Sequence, residues 1–99
     1  MTIDKERDGN QVTLQVEGKI DTLTAPQLDE VIREELDGLA LLYLDLKEVD
    51  YISSAGLRVL LSTQKAMDLQ GEMRIRNVND TVLEIFDVTG FTNILNIDE

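Results

Sequence analysis

The feature that most constrains the fold is a short, nearly unbroken apolar segment near the middle of the chain. Ala40 to Leu46 reads Ala-Leu-Leu-Tyr-Leu-Asp-Leu, without the alternation of a strand that has one solvated face. Such a run is typical of a strand that lies centrally in a sheet and is covered on both faces. Helical patterns precede and follow it, so it predicts strand–helix–strand crossovers.

A hairpin and a helix are predicted before this segment. Ile3–Arg7 and Gln11–Glu17 flank a turn sequence that contains Gly9, and the second run alternates cleanly between apolar and polar residues. Thr24 is then a cap residue with a proline just inside the helix, and apolar residues follow at helical spacing until Gly38 ends the helix.

Two helices and a strand are predicted after it. Ser53 opens a helix that runs to about Leu69. The residues from 72 to 78 alternate as a strand with one wet face near the sheet edge, and Asn79-Asp80 begins a third helix that Gly90 closes. The tail to Ile97 fits a strand or a helix. The chain is therefore expected to be one domain, residues 1–99, of α/β class with the order ββαβαβα plus a tail.

Composition excludes several classes of function. The chain has no His and no Cys, so it lacks the side chains of His-based triads, thiol nucleophiles, Cys/His zinc sites and disulfides. Its formal net charge of −11 repels the phosphates of nucleic acids and anionic lipid surfaces. The first residues lack an apolar run of signal-peptide type. We expect a cytoplasmic, non-enzymatic protein that uses no cofactor and binds neither nucleic acid nor membranes.

Two of the few serines, Ser53 and Ser54, lie side by side where the second helix is predicted to begin. The first turn of a helix presents unpaired backbone N–H groups, which stabilise a phosphoryl group on a hydroxyl there. Gly56 indicates room for another backbone or a nucleotide to approach. A purely structural role fits the same residues, because serine is a favoured N-cap and small residues allow a helix to pack closely.

Three aspartates form a second candidate set. Asp21, Asp45 and Asp50 each close or end a predicted strand, on the side of the sheet where the second helix begins. Converging carboxylates can bind a divalent cation, but Asp is also a common turn residue. The chain has neither an Asp-x-Asp spacing nor a glycine-rich phosphate loop. We therefore expect no metal ligands among the three.

Four sequence strings, which together extend over essentially the whole chain, carry a family resemblance. They are GKIDTLTAPQL at 18–28, LDL at 44–46, VDYISSAGL at 49–57 and DVTGF at 87–91. In this order they resemble the STAS domain of bacterial anti-sigma-factor antagonists. The resemblance implies a small mixed sheet with helices packed mainly on one face, which agrees with the ββαβαβα order. It also implies a tail that ends as a strand and a short helix.

The resemblance implies a switch rather than an enzyme. In these antagonists the serine just ahead of the residue that precedes Gly-Leu is phosphorylated, and here that serine is Ser54. The kinase is the partner itself, an anti-sigma factor that uses ATP, and a PP2C-type phosphatase reverses the modification. The unmodified antagonist binds the anti-sigma factor and so frees a sigma factor, whereas the phosphorylated form releases it.

The chain departs from the family pattern beside this serine. The family commonly has Asp before it and Ser or Thr after it, where Ser53 and Ala55 stand here. Ser53 is therefore a second candidate for modification. The same departure keeps open a second function, a STAS scaffold subunit of a transport or signalling complex that is not phosphorylated at all.

The residues around Ser54 are the expected partner-binding surface. They are Asp21, Ser53, Gly56, Arg58 and Leu61. Arg58 and Leu61 lie on the predicted outer face of the second helix, where they either contact the partner or rim the core.

Overall fold

The computed structural model describes residues 1–98, and its strands form a single four-stranded sheet in the order β1-β2-β3-β4. The elements in chain order are β1 (Thr2–Asp8), β2 (Gln11–Ile20), α1 (Ala25–Glu35), β3 (Leu41–Ile52), α2 (Ser54–Asp68), β4 (Glu72–Arg76) and α3 (Asp80–Thr89). The hairpin strands β1 and β2 are antiparallel, while β2, β3 and β4 run parallel. The predicted ββαβαβα order and mixed sheet are confirmed.

The helices pack against one face of the sheet. Residues paired across the parallel strands, such as Val12, Leu42 and Met73, are fully buried on this face together with apolar residues of all three helices. On the opposite face Tyr43 is only half-buried, and the guanidinium of Arg76 stacks over its ring at 3.4 Å from the centroid. The prediction that this strand is covered on both faces was therefore wrong, because the second face is screened only by neighbouring side chains.

Strand β3 is longer than its apolar run indicated. It continues from Leu41 to Ile52, and its pairing with β2 shifts register twice, between Gln15 and Glu17 and between Gly18 and Lys19. At each shift β3 supplies one residue more than β2, which is the arrangement of a β-bulge. With these two extra residues, β3 continues beside β2 as far as Ile52, which pairs with Ile20, the last residue of β2.

Two of the three predicted helix starts are confirmed in detail. Ser53 caps α2, and Asn79 caps α3 by accepting a hydrogen bond from the Val82 N–H at 3.0 Å. Thr24 precedes α1 but has helical backbone angles, and its side chain makes no capping hydrogen bond. At the end of α3, Gly90 adopts the left-handed conformation at φ 81°, which glycine takes without a steric penalty.

The tail reverses the order that the resemblance implied. A short 3₁₀ turn, Phe91–Asn93, comes first, and Ile97 then makes a single parallel bridge to Ile75. The tail thereby lies beside β4. Strand β4 is the last in the sheet order, as the alternating pattern of residues 72–78 predicted. None of the helices in residues 1–98 has the length and apolar character that crossing a bilayer requires.

Candidate functional site

The candidate site lies where the carboxyl ends of β2 and β3 meet the start of α2. The backbone N–H of Ser53 donates to the carbonyl of Ile20 at 2.8 Å, so the last residue of β2 holds the residue that precedes α2. The turn from β2 to α1, residues 21–24, begins at the same strand end. Loops that follow the carboxyl ends of parallel strands are common binding sites in α/β folds.

The two adjacent serines occupy different environments. Ser53 has an extended backbone, at φ −84° and ψ 175°, and its Oγ accepts a hydrogen bond from the Gly56 N–H at 3.3 Å. Its hydroxyl thus satisfies one of the free N–H groups in the first turn of α2. Ser54 is the first residue of the helix and is exposed, whereas Ser53 is half-buried. Ser54 is therefore the more accessible of the two serines.

Asp21 organises the turn that lies beside the serines. Its Oδ1 accepts hydrogen bonds from the backbone N–H groups of Leu23 at 2.9 Å and Thr24 at 3.0 Å. Hydrogen bonds from the Thr24 backbone, and then from Leu23, lower the pKa of Asp21 below its ordinary value because they stabilise the carboxylate. The Thr24 hydroxyl donates to the Lys19 carbonyl at 2.6 Å, which closes the turn. Asp21 therefore shapes the surface on which it was predicted to contact a partner.

Gly56 is buried against the strand ends. A Cβ built on Gly56 would lie 2.7 Å from Cγ2 of Ile20, 2.9 Å from Cγ2 of Ile52 and 3.0 Å from the Ile20 carbonyl oxygen. The interpretation that another backbone approaches here is confirmed, because the carbonyl of Ile20 in this chain lies there. The interpretation that a nucleotide can approach was wrong, because the same space is filled. Its absent side chain instead lets α2 sit directly on the ends of β2 and β3, which fixes the position of Ser54.

A groove of about 360 Å³ separates α1 from α2 beside the serines. Apolar groups of Ala25, Pro26, Ala55 and Val59 line it, and Arg58, Asp29 and Arg33 form part of its rim. Arg58 is exposed and Leu61 is half-buried, so both predicted contact residues of α2 reach the surface.

Leu23 is a candidate contact residue that the sequence analysis missed. It lies in the turn that Asp21 organises, and 88% of its surface is exposed. Exposed single leucines are common on proteins, but this one is held by a hydrogen-bonded turn next to Ser53. Its position between Asp21 and Thr24, outside both the strand pattern and the helix pattern, was the available signal.

The predicted convergence of three aspartates does not occur. Asp45 and Asp50 both lie within β3 rather than at its end, because the bulged strand continues to Ile52. The Asp45 carboxylate accepts from the Lys47 N–H at 3.0 Å and from the side-chain amide of Asn77 at 2.9 Å. Within residues 1–98 no three acidic side chains come close enough together to hold a metal ion.

Comparisons with known proteins agree on one family. A family model described as the STAS domain matches residues 2–99. The anti-sigma-B factor antagonist of Bacillus subtilis is 31% identical over 98 residues, which cover 98% of this chain and 90% of that protein. The anti-sigma-B factor antagonist of Listeria monocytogenes is 33% identical and covers 94% of this chain and 83% of its own length.

Solved structures share the fold at lower identity. An anti-sigma factor antagonist from Mycobacterium paratuberculosis superposes with a TM-score of 0.87 at 24% identity, over 97% of this chain and 83% of that chain. The Bacillus cell fate determinant SpoIIAA in its phosphorylated form gives 0.76 at 14% identity, over 99% and 92%. A sulfate transporter family protein from Wolinella succinogenes gives 0.78 at 18%, over 90% and 74%. The fold is thus found in proteins with different roles.

Proposed function

The chain belongs to the STAS domain family, and from this premise we propose that it is an anti-sigma-factor antagonist that acts in the cytoplasm through binding rather than catalysis. Its curated relatives with about a third of their residues identical bear that description over nearly their whole length. The observation that carries the proposal is the exposed Ser54 at the first position of α2, on a surface fixed by the ends of two strands.

The proposed partner is an anti-sigma factor that is also a serine kinase. In the switching step the Ser54 Oγ attacks the γ-phosphorus of ATP bound to the kinase. The bond from that phosphorus to the bridging oxygen breaks, ADP leaves, and the hydroxyl proton passes to a base of the kinase. A PP2C-type phosphatase then transfers the phosphoryl group to water, which regenerates the hydroxyl and releases phosphate.

Electrostatics explain why this modification would end the complex. A phosphate adds about 1.5 to 2 negative charges at neutral pH, in a chain whose formal net charge is already −11. At a helix N-terminus the phosphate gains about 0.3–1 kcal/mol from the helix dipole, so the free protein tolerates it. In a closed interface the same charge must lose its water, and nearby like charges repel it. The expected result is release of the partner.

Ser54 is favoured over Ser53 as the phosphorylation site because the two hydroxyls have different roles in the folded protein. Ser53 Oγ caps α2 and is half-buried, so modifying it would cost the cap, whereas the exposed Ser54 is accessible to the catalytic site of a kinase. Asp21, Arg58 and Leu61 are the other proposed contacts with the partner. Gly56 acts through the placement of the helix.

We predict that replacing Ser54 with Ala abolishes phosphorylation. The test incubates the wild-type protein, S54A and S53A with ATP and the anti-sigma factor kinase from the same genome, and follows intact mass. The wild-type protein and S53A should each gain one phosphoryl group, and S54A none.

S54D should bind the kinase about 10- to 100-fold more weakly than the wild-type protein, measured by calorimetry without ATP.

Two results would contradict the proposal in different ways. Phosphorylation of S54A together with loss of phosphorylation in S53A would move the site to Ser53. A partner that binds the wild-type protein equally well before and after treatment with kinase and ATP would instead favour a STAS scaffold that is not switched by phosphate.

A further inference from the structure

The helix that presents Ser54 differs in charge from the other two helices. Helix α2 carries Arg58 and Lys65, and its carboxylate, Asp68, is at its last residue. Helix α3 has carboxylates and neither Lys nor Arg, and acidic residues outnumber the single Arg in α1. Among the three helices of this strongly acidic chain, α2 is therefore the one whose cations outnumber its carboxylates.

Arg58 is placed to reach a group attached to Ser54. The two residues are four apart in α2, so they lie on the same helix face with Cβ atoms about 5–6 Å apart. A guanidinium and a phosphate at this spacing can form a direct ion pair, and an acid on the N-terminal side of a base is the favourable order in a helix.

The guanidinium of Arg58 is uncommitted within residues 1–98. The salt bridges of this part of the chain involve the cations Lys5, Arg7, Arg33, Arg74 and Arg76. Across the groove from Arg58, Asp29 is already paired with Arg33 at 2.8 Å. Asp21 is held in its turn, and Asp50 is exposed on β3. Arg58 can therefore turn toward Ser54 without breaking a salt bridge.

This inference rests on the proposed phosphorylation of Ser54. We propose that Arg58 is the intramolecular partner of the Ser54 phosphate. Its guanidinium moves away from the rim of the α1–α2 groove and binds the phosphate oxygens. Phosphorylation then changes the docking surface in two ways. It adds a dianion at Ser54 and withdraws the cation that Arg58 offers to an approaching protein. The unmodified surface suits a partner with a carboxylate opposite Arg58, and the modified one does not.

The test needs no kinase. Phosphoserine is inserted at position 54 during translation, and its second pKa is measured by ³¹P NMR titration in the otherwise wild-type protein, R58Q, R58K and K65Q. The ion pair should make that pKa about 0.3–0.6 lower in the wild-type background than in R58Q. R58K retains the charge and should retain most of this difference. K65Q is the matched control. Lys65 lies about 16 Å along the helix from Ser54, which is beyond a Debye length, so K65Q should behave as wild type.

Equal pKa values in the wild-type background and R58Q would overturn the inference. A change in K65Q as large as that in R58Q would also overturn it, because the effect would then be the general field of the helix. If R58Q raises the pKa but the kinase leaves Ser54 unmodified in the separate mass assay, the ion pair stands and the proposed function falls. If the kinase modifies Ser54 and R58Q changes nothing, the reverse is true.

Discussion

Gly56 sets the distance between α2 and the two central strands. The atoms that surround its missing Cβ are the branched methyl groups of Ile20 and Ile52 and the backbone carbonyl of Ile20. None of these is the end of a flexible side chain, so a methyl group there cannot be accommodated by a simple rotation. The position of Ser54 therefore depends on a buried glycine two residues away.

We predict that G56A destabilises the protein despite the better helix propensity of alanine. That propensity favours alanine by about 1 kcal/mol, whereas overpacking a buried contact costs about 1–3 kcal/mol. Because two of the contacts would be shorter than 3.0 Å, the cost should lie in the upper part of this range, about 2–3 kcal/mol. The expected net loss in the free energy of unfolding is then about 1–2 kcal/mol, measured by urea denaturation. S62A, an exposed substitution in the same helix, should stay within about 0.5 kcal/mol of wild type. Wild-type stability in G56A would mean that α2 can shift freely on the strands.

Single residues also show which features of the site the sequence could predict and which it could not. The pair Ser53-Ser54 could be placed at a helix start from the sequence, because capping preferences are local. Which of the two hydroxyls is free depends on the backbone of Ser53 and on its bond to Gly56, which follow from tertiary structure. The exposure of Leu23 depends in the same way on the turn around Asp21.

At the scale of elements, β3 shows why the strand end was misplaced. Its buried residues are Leu42, Leu44, Leu46, Val49 and Ile52, so the spacing changes from two to three at the bulges. Apolar residues at every second position predict a strand, whereas apolar residues at every third position resemble a loop or a helix. The sequence pattern therefore did not reveal where β3 ends, nor that Asp45 lies away from the site. The helices have no such interruption, and they were predicted nearly to their ends.

Asn79 links an element start to the sheet. Its Oδ1 caps α3 at the Val82 N–H, and its Nδ2 donates to the Val49 carbonyl of β3 at 2.7 Å. We predict that N79S, which keeps a capping oxygen but is too short to reach β3, loses about 1 kcal/mol of unfolding free energy. N79A, which loses both bonds, should lose about 2 kcal/mol. Equal losses in urea denaturation would contradict a separate contribution from the cap.

At the scale of the whole molecule, element order was the most predictable property. Each crossover from strand to helix to strand must be right-handed and must return to the same sheet, so the order ββαβαβα leaves few arrangements. The number of covered faces was less predictable, because Leu41 and Tyr43 are apolar residues on the open face. Tyr43 is screened there by the side chain of Arg76 rather than by a second helical layer.

Two carboxylates make the stability of the fold depend on pH, one in the turn between β2 and α1 and one in the tail. Asp21 accepts hydrogen bonds in the turn beside the site, and Asp98 accepts a hydrogen bond from Arg74 and lies 3.7 Å from Arg76. Each has a pKa below its ordinary value of 3.8, Asp21 chiefly through the Thr24 N–H and Asp98 chiefly through Arg74. Because the folded state favours the ionised form, these groups stabilise the protein above that pH.

We predict that the free energy of unfolding decreases as the pH falls through 3.8 and toward the lowered folded values, where both carboxylates take up protons. D21N retains an oxygen for the turn but cannot titrate, so its stability should depend less steeply on pH in urea denaturation between about pH 5 and 2.5. D98N should do the same, and the double variant should be least steep, because the two sites lie in separate parts of the fold. T22A, in the same turn without a change in titratable groups, should keep the wild-type slope. Wild-type pH dependence in the double variant would show that other groups govern acid unfolding.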